Sequence, residues 1–323
     1  MKVLVTGANG MVGRAVVSAA PAEVTSLRSQ VGPDRADPVP GSGTSGGLDR
    51  GASIVCDIAD REAIGAVADG VDVVVHLAGP PSVAASFADP IEFLRAHVLG
   101  TATIVQLCQE LAIPRLVYVS SAEVYGRPRR NPVDEGEPLV PRSPYGAAKV
   151  GAESIIGAAA TVTGLDAIVL RPFSVYGPGT RRDSVLGVIL EQALAGPSMQ
   201  LRSLGGIRDY CFVGDLAEAV WRAARADLVG LHTFNIASGH GTRVDELARA
   251  TLVARHGAVP ADATVEARPD PDGDRPATAD IAELVADVRQ ARDRLGWQAT
   301  TSLTDGLVRT LDWYARTNAA VAR

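Results

Sequence analysis

Three glycines, Gly7, Gly10 and Gly13, stand between an apolar strand pattern at 2–6 and an amphipathic stretch at 11–19. The first glycine suits a tight reversal, the second lets backbone approach a pyrophosphate, and the third lets the helix pack closely on the strand. The helix end that follows offers unbonded N–H groups and the positive end of its dipole, both suited to phosphate. The turn therefore predicts a dinucleotide site that includes Gly7, Gly10, Met11, Val12 and Gly13, with an ordinary turn as the alternative.

The rest of the chain extends this pattern. Short apolar runs at 24–27, 53–56, 71–77, 115–120 and 166–171 alternate with amphipathic runs starting near 60 and at 90–111 and 144–163. The run VDVVVHL at 71–77 is apolar without alternation, as in a strand covered on both faces. Strand and helix in alternation predict an α/β fold with a doubly wound parallel sheet. After about Phe173 the elements become shorter. The expected division is a dinucleotide-binding domain, 1–172, and a smaller, mostly C-terminal substrate-binding lobe, 173–323, with the chain free to cross back. The stretch 29–51 is rich in Gly, Pro, Ser and Asp and reads as a surface loop.

Composition narrows the function. At 323 residues the chain can form two lobes around a cleft, and its net charge of −6 argues against non-specific nucleic-acid binding. Cys56, Cys108 and Cys211 and the five histidines are scattered, without the spacing of a disulfide framework or a metal site. The N-terminus enters a strand at once, unlike a signal peptide, and no apolar run is long enough for a bilayer. These features predict a cytoplasmic protein with no membrane partner.

Further cofactor contacts are expected where strands end. An acidic residue after the second strand would bind the ribose of NAD; Arg28 stands there instead and suits a 2′-phosphate. It favours NADP over NAD, the alternative being a solvent-facing arginine. Asp57 and Ile58 follow the third strand, and Leu77, Ala78 and Gly79 the fourth.

The chemistry is expected at Tyr145 and Lys149, four apart and so on one helix face. An ammonium beside a phenol lowers its pKa from near ~10 and lets it exchange a proton near neutral pH. The chain has only two lysines, Lys2 and Lys149, so a lysine at this spacing is notable. A compact ammonium reaching both ribose and phenol is not readily replaced by arginine. The hydroxyl partner should come from the end of the preceding strand: Ser121, with Ser120 as the fallback. Tyr125 reads as structural.

These segments together resemble the extended short-chain dehydrogenases of the NAD-dependent epimerase/dehydratase group, which act on nucleotide sugars. The likeness is carried by TGANGMVG at 6–13, HLAG at 76–79, SSAEVYG at 120–126, SPYGAAK at 143–149, RPFSVYGPG at 171–179, RDYCFVGDLAEA at 208–219 and GW at 296–297. The resemblance implies a Rossmann-type sheet, a nucleotide-diphosphate sugar as substrate and a homodimer formed through the helices at 90–111 and 144–163. It implies a catalytic Ser121, Tyr145 and Lys149, with Pro172 and Phe173 lining the nicotinamide. Arg208 would pair with the substrate diphosphate. Three positions depart from the group's pattern: Ser174 and His97 where Asn is usual, and Arg28 where an acid is usual.

The resemblance leaves several reactions open, all beginning with hydride transfer at sugar C4. A dehydratase needs an acid and a base next to Ser121; Ala122 and Glu123 stand there, so only the base is present. A 4-epimerase is the first expectation, an NADPH-dependent 4-ketosugar reductase the second, and a 4,6-dehydratase or decarboxylase the third. Ala122, Glu123, Ser174 and Arg208, with Ser121 and Tyr145, form the expected substrate site, and Glu123 is also a candidate catalyst. An NADP-binding redox sensor is the alternative of another class, one with no use for Tyr145 and Lys149.

Overall fold

A computed structural model describes residues 1–21, 23–28, 53–268, 276 and 279–321. The stretch 29–51 lies outside the described residues. The first lobe runs through β1 (Lys2–Thr6), α1 (Met11–Ser18), β2 (Glu23–Arg28), β3 (Ser53–Val55), α2 (Arg61–Ala68), β4 (Val73–His76) and α3 (Val83–Ala88). It continues with α4 (Pro90–Leu94), a π-helical turn at Arg95–Leu99, α5 (Gly100–Glu110), β5 (Arg115–Val119), α6 (Pro144–Thr163) and β6 (Asp166–Pro172). The second half contains β7 (Ser174–Tyr176), α7 (Val185–Ala195), β8 (Ser198–Leu201), β9 (Ile207–Phe212), α8 (Val213–Arg225), β10 (Leu231–Ile236) and β11 (Gly241–Arg243). It ends with α9 (Val244–His256), β12 (Thr264–Ala267), β13 (Glu283–Leu284), α10 (Arg289–Leu295) and α11 (Leu303–Val321).

The seven strands of the main sheet run in the order β10-β6-β5-β4-β1-β2-β3, and every pair is parallel. β1 lies between β2 and β4, so the chain leaves it in opposite directions, and the crevice at the carboxyl ends of these strands is where ligands bind in such sheets. The fold is the doubly wound α/β sheet expected from the sequence. Strand alternation sends Val3 and Val5 into one apolar layer with Val16 of α1 and Val220 and Trp221 of α8. Leu4 enters the other, with Ile64 of α2, Ile104 of α5 and Ile156 of α6.

Two features were not visible in the sequence. The stretch 90–110 is not one regular α-helix, because the π turn at Arg95–Leu99 interrupts it. β10 returns from the second half of the chain and pairs with β6 over the register Leu231↔Ala167 to Ile236↔Pro172. A separate small sheet joins β7, β9, β11 and β13, and an apolar cluster of Leu190, Met199, Leu247, Leu311 and Tyr314 supports the other lobe. Among the described residues no helix is long and apolar enough to cross a membrane, and no cluster of side chains could hold a metal. Cys56, Cys108 and Cys211 are buried free thiols.

Candidate active site

The glycine turn separates into three physical roles. Gly7 has φ +68°, and a Cβ there would stand 2.8 Å from the backbone N of Ala78. At Gly13 a Cβ would come within 2.2 Å of the Gly7 carbonyl oxygen, so α1 sits directly on the turn. Gly10 is different. Its nearest neighbour would be the Gly7 oxygen at 3.4 Å, an ordinary contact. The protein's own packing therefore does not require glycine at 10, whereas a ligand pressed against this backbone would. Gly10 also caps α1 without any side-chain hydrogen bond, so the first N–H groups of the helix are not occupied by a capping side chain. Met11 and Val12 are half-buried beside it, and Met11 Sδ meets the Thr180 hydroxyl at 3.8 Å.

The next strand ends face the same crevice. Thr6 Oγ1 accepts from the backbone N–H groups of Leu77 and Ala78 at 3.1 and 3.2 Å. Gly79 has φ +130°, and a Cβ on it would strike the His97 ring. His97 is buried by the π turn, and its Nε2 bonds the Pro80 carbonyl at 3.0 Å. Past β3, Asp57 accepts from Ala59 N at 2.9 Å and from Arg95 at 2.6 Å. These bonds, the backbone one first, lower its pKa. Ile58 packs against Gly100. Arg28 closes β2, but its side chain lies outside the described residues.

The catalytic candidates meet at the end of β5. Ser143 caps α6, accepting from Gly146 N at 3.0 Å, and Pro144 takes the first helical position. This start places Tyr145 and Lys149 on the buried face of α6, at 8% and 4% exposure. Ser121 caps a short 3₁₀ turn, Ala122–Val124, and its Oγ accepts from Glu123 N at 3.2 Å. Ser121 also hydrogen-bonds Tyr145. Glu123 is half-buried and close enough for its charge to act on the Tyr145 phenol. The Ala122 methyl is turned into a core cluster with Val124, Tyr125 and Phe173.

Burial acts against the shift expected from the Tyr145–Lys149 spacing. Tyr145 is pushed up to about 12, chiefly by burial; the Ser121 hydrogen bond opposes the rise and Glu123 adds to it. Lys149 does not bond the phenol. Its Nζ donates to the Val119 carbonyl at 2.8 Å and lies 5.9 Å from the Tyr145 ring centre. Burial pushes Lys149 down to about 7, with Glu153 acting in the other direction. Desolvation thus outweighs the attraction expected from spacing alone.

The remaining candidates lie on the small sheet. Ser174 on β7 pairs with Tyr210 on β9, and Arg208 lies two residues before Tyr210, so all three share one face of the small sheet. Asp209 points to the opposite side. It is fully buried and accepts from Ser238 N and Oγ, Gly239 N and Ala286 N, which anchors β9 beneath Arg208. Tyr125 is fully buried and donates to Asn235 Oδ1 at 2.7 Å, a structural position.

Comparison with known proteins fits this geometry. The profile of the "NAD dependent epimerase/dehydratase family" matches residues 3–237. The chain belongs to that family. It is therefore an enzyme of the extended short-chain dehydrogenase type. It is 30% identical to the UDP-glucose 4-epimerase of Mycolicibacterium smegmatis, over 97% of this chain and 98% of that protein. It resembles the structure of the UDP-glucose 4-epimerase of Thermotoga maritima with UDP-glucose, with a TM-score of 0.83 and 27% identity over 98% and 100% of the two chains. It also resembles DesIV, a dTDP-glucose 4,6-dehydratase of Streptomyces venezuelae with NAD and TYD bound, with a TM-score of 0.85 and 26% identity over 99% and 98%.

Reading the sequence did not single out several residues behind the candidate catalysts. Thr6, Glu153, Arg171 and Asn235 are polar, nearly or fully buried, and hydrogen-bonded there, and Ser120, the fallback for the catalytic hydroxyl, instead donates to Glu153. A usable signal existed for Glu153, which lies four residues after Lys149 on the same helix face.

Proposed function

We propose that this family member is a nucleotide-sugar 4-epimerase using NAD(P), with Ser121, Tyr145 and Lys149 as its catalytic group. The observation that carries this reading is the meeting of half-buried Ser121 with buried Tyr145 and Lys149 at the end of β5, in a sheet whose glycine turn leaves Gly10 and the start of α1 open. Full-length similarity to a UDP-glucose 4-epimerase supports a UDP-sugar as first substrate to test.

The residues present fit a dinucleotide. Gly7, Gly10, Met11, Val12 and Gly13 would hold its pyrophosphate, Asp57 and Ile58 its adenine side, and Leu77, Ala78, Gly79, Pro172 and Phe173 its nicotinamide side. When bound, NAD(P) supplies the hydride acceptor and donor. Tyr145 Oη takes the proton from the C4 hydroxyl and later returns it, while Ser121 Oγ holds the same oxygen. The Lys149 ammonium anchors the ribose and favours the phenolate. Arg208 would grip the substrate diphosphate, with Ser174 on the same sheet face. Residues 1–172, completed by the returning β10, serve the cofactor, and 173–323 mainly serve the sugar nucleotide.

We place a 4,6-dehydratase lower because Ala122 offers a buried methyl where that reaction needs an acid. The check is mass spectrometry of products from a panel of nucleotide sugars, run in deuterated water. The expected result is a C4 epimer unlabelled at C5, with Glu123→Gln lowering turnover only modestly. Solvent deuterium at C5 and a loss of about 10²-fold or more in Glu123→Gln would instead assign a dehydratase.

Arg28 supports a preference for NADP, and with it the 4-ketoreductase alternative. Arg28→Asp should reverse the ratio of NADP to NAD affinities measured by titration; tighter NAD binding in the wild type would assign Arg28 to solvent. A homodimer and a cytoplasmic location belong to the same reading. α6 packs beside α4 and α5, and Ile91, Leu94 and Leu99 on that helical run stand 70%, 43% and 52% exposed, available to a second copy.

A further inference from the structure

Lys149 is a buried cation with no ion pair among the described residues. The groups facing it come from four elements. Tyr118 of β5 lies with its ring centre 4.8 Å from Nζ. His76 of β4 and His97 of the π turn are held neutral, the first pushed down to about 3 and the second well below its ordinary value, by burial first and the Lys149 charge second. Tyr145 and Glu153 share α6 with it. Both phenols are pushed up, chiefly by burial. Glu153 is the one carboxylate whose charge acts on Lys149.

That carboxylate is held on every side. Oε1 accepts from Ser120 Oγ at 2.5 Å and Arg171 Nε at 3.1 Å, and Oε2 accepts from Arg171 Nη2 at 2.7 Å. Arg171 is fixed in turn, donating from Nη1 to Tyr125 Oη at 2.9 Å and to the Glu135 carbonyl at 3.2 Å. A buried ion pair like this is a poor source of stability, since apolar residues of the same volume often pack as well or better. Its presence one helical turn from Lys149 asks for another explanation.

We propose that Glu153 is a positioning residue for the reaction: Ser120 and Arg171 fix its carboxylate as the buried counter-charge for Lys149, and Ser120 links that charge to the segment carrying Ser121. The inference rests on the reading that Lys149 serves Tyr145. Burial drives the proton off Lys149, and a fixed anion one turn away works against that loss. Arg171 steadies Glu153 by donating to both of its carboxylate oxygens.

The chain's two lysines make a direct test possible. Full-length protein carrying carbon-13 at lysine Cε should show two NMR resonances, one for exposed Lys2 and one for Lys149. Their titrations are compared in wild type, in Glu153→Gln, and in the double variant Glu153→Met/Arg171→Met. The double variant removes the pair as an apolar exchange and so avoids leaving Arg171 buried and unpaired. The Lys149 midpoint should fall by about one pH unit or more in both variants, the scale of a nearby opposite charge, while Lys2 stays in place. The limb of the pH–rate profile that falls with rising pH should move to lower pH by a similar amount. A Lys149 midpoint unmoved beyond a few tenths, or an unshifted limb in a folded variant, overturns the proposal. The titration needs no substrate, so an empty product panel would defeat the epimerase reading and leave the test of Glu153 intact.

Discussion

Tyr145→Phe should lower turnover by about 10²–10⁴-fold, the range of a general acid–base group, and leave cofactor binding nearly unchanged. The substitution deletes one hydroxyl from a ring whose packing against Phe93 and His97 it preserves. Lys149→Met should reduce both turnover and cofactor affinity, because the ammonium serves a ribose as well as the phenol. Steady-state rates and cofactor titrations on the two variants separate these outcomes. Equal activity in Tyr145→Phe and wild type would remove Tyr145 from the chemistry. The pH behaviour has a definite sign. With Lys149 pushed down to about 7, its charge is present below that value and is lost as pH rises through it. Whatever depends on the ammonium should weaken on the alkaline side. A bound oxidised nicotinamide would add a second positive charge near Tyr145, beside that of Lys149.

The second large effect is expected at the glycine turn, where two substitutions that look alike should behave differently. Gly13→Ala forces a methyl onto the Gly7 carbonyl oxygen, at 2.2 Å without movement. Backbone must shift, at a cost toward the upper end of about 1–3 kcal/mol, and both thermal stability and cofactor binding should fall. Gly10→Ala meets nothing closer than 3.4 Å. Its melting temperature should stay within a degree or two of wild type while cofactor affinity drops by ten-fold or more. Calorimetry with and without cofactor distinguishes them. A Gly10→Ala protein that binds cofactor as well as wild type would show that position 10 is spacing rather than a contact surface.

Much of this architecture was legible in the sequence because parallel strands covered on both faces are continuous apolar runs. The α6 boundaries could be read from Ser143 and Pro144 at one end and Gly164 at the other, a glycine with φ +75°. The family and enzyme class expected from the motifs are those returned by the comparisons. Other features were not legible, for physical reasons. A π turn adds one residue to a helical turn, and a stretch of five residues is too short for its altered period to be told from the flanking α-helical pattern, so the inward turn of His97 had no clear local signal. The pairing of β10 with β6 is a long-range choice that the run LHTFNI does not state. Glu153 and Arg171 read as ordinary polar residues until tertiary structure removes their water. At Tyr145, too, spacing reveals a nearby charge but not desolvation. Arg28 remains a reading of the sequence alone.

The return of β10 bears on how the protein is made. β6 ends at Pro172, yet its outer ladder stays open until Leu231–Ile236 has been synthesised. At roughly 5–20 residues per second, several seconds of translation separate the two strands. During that interval the nascent first lobe carries a long, apolar, unpaired edge, the kind that recruits other strands. A fragment cut after residue 172 would retain that edge permanently and should be insoluble when expressed alone, whereas one extended past Ile236 could close it. Slow stretches of translation between these points would prolong the exposure, and chaperone demand should peak there rather than at the end of synthesis.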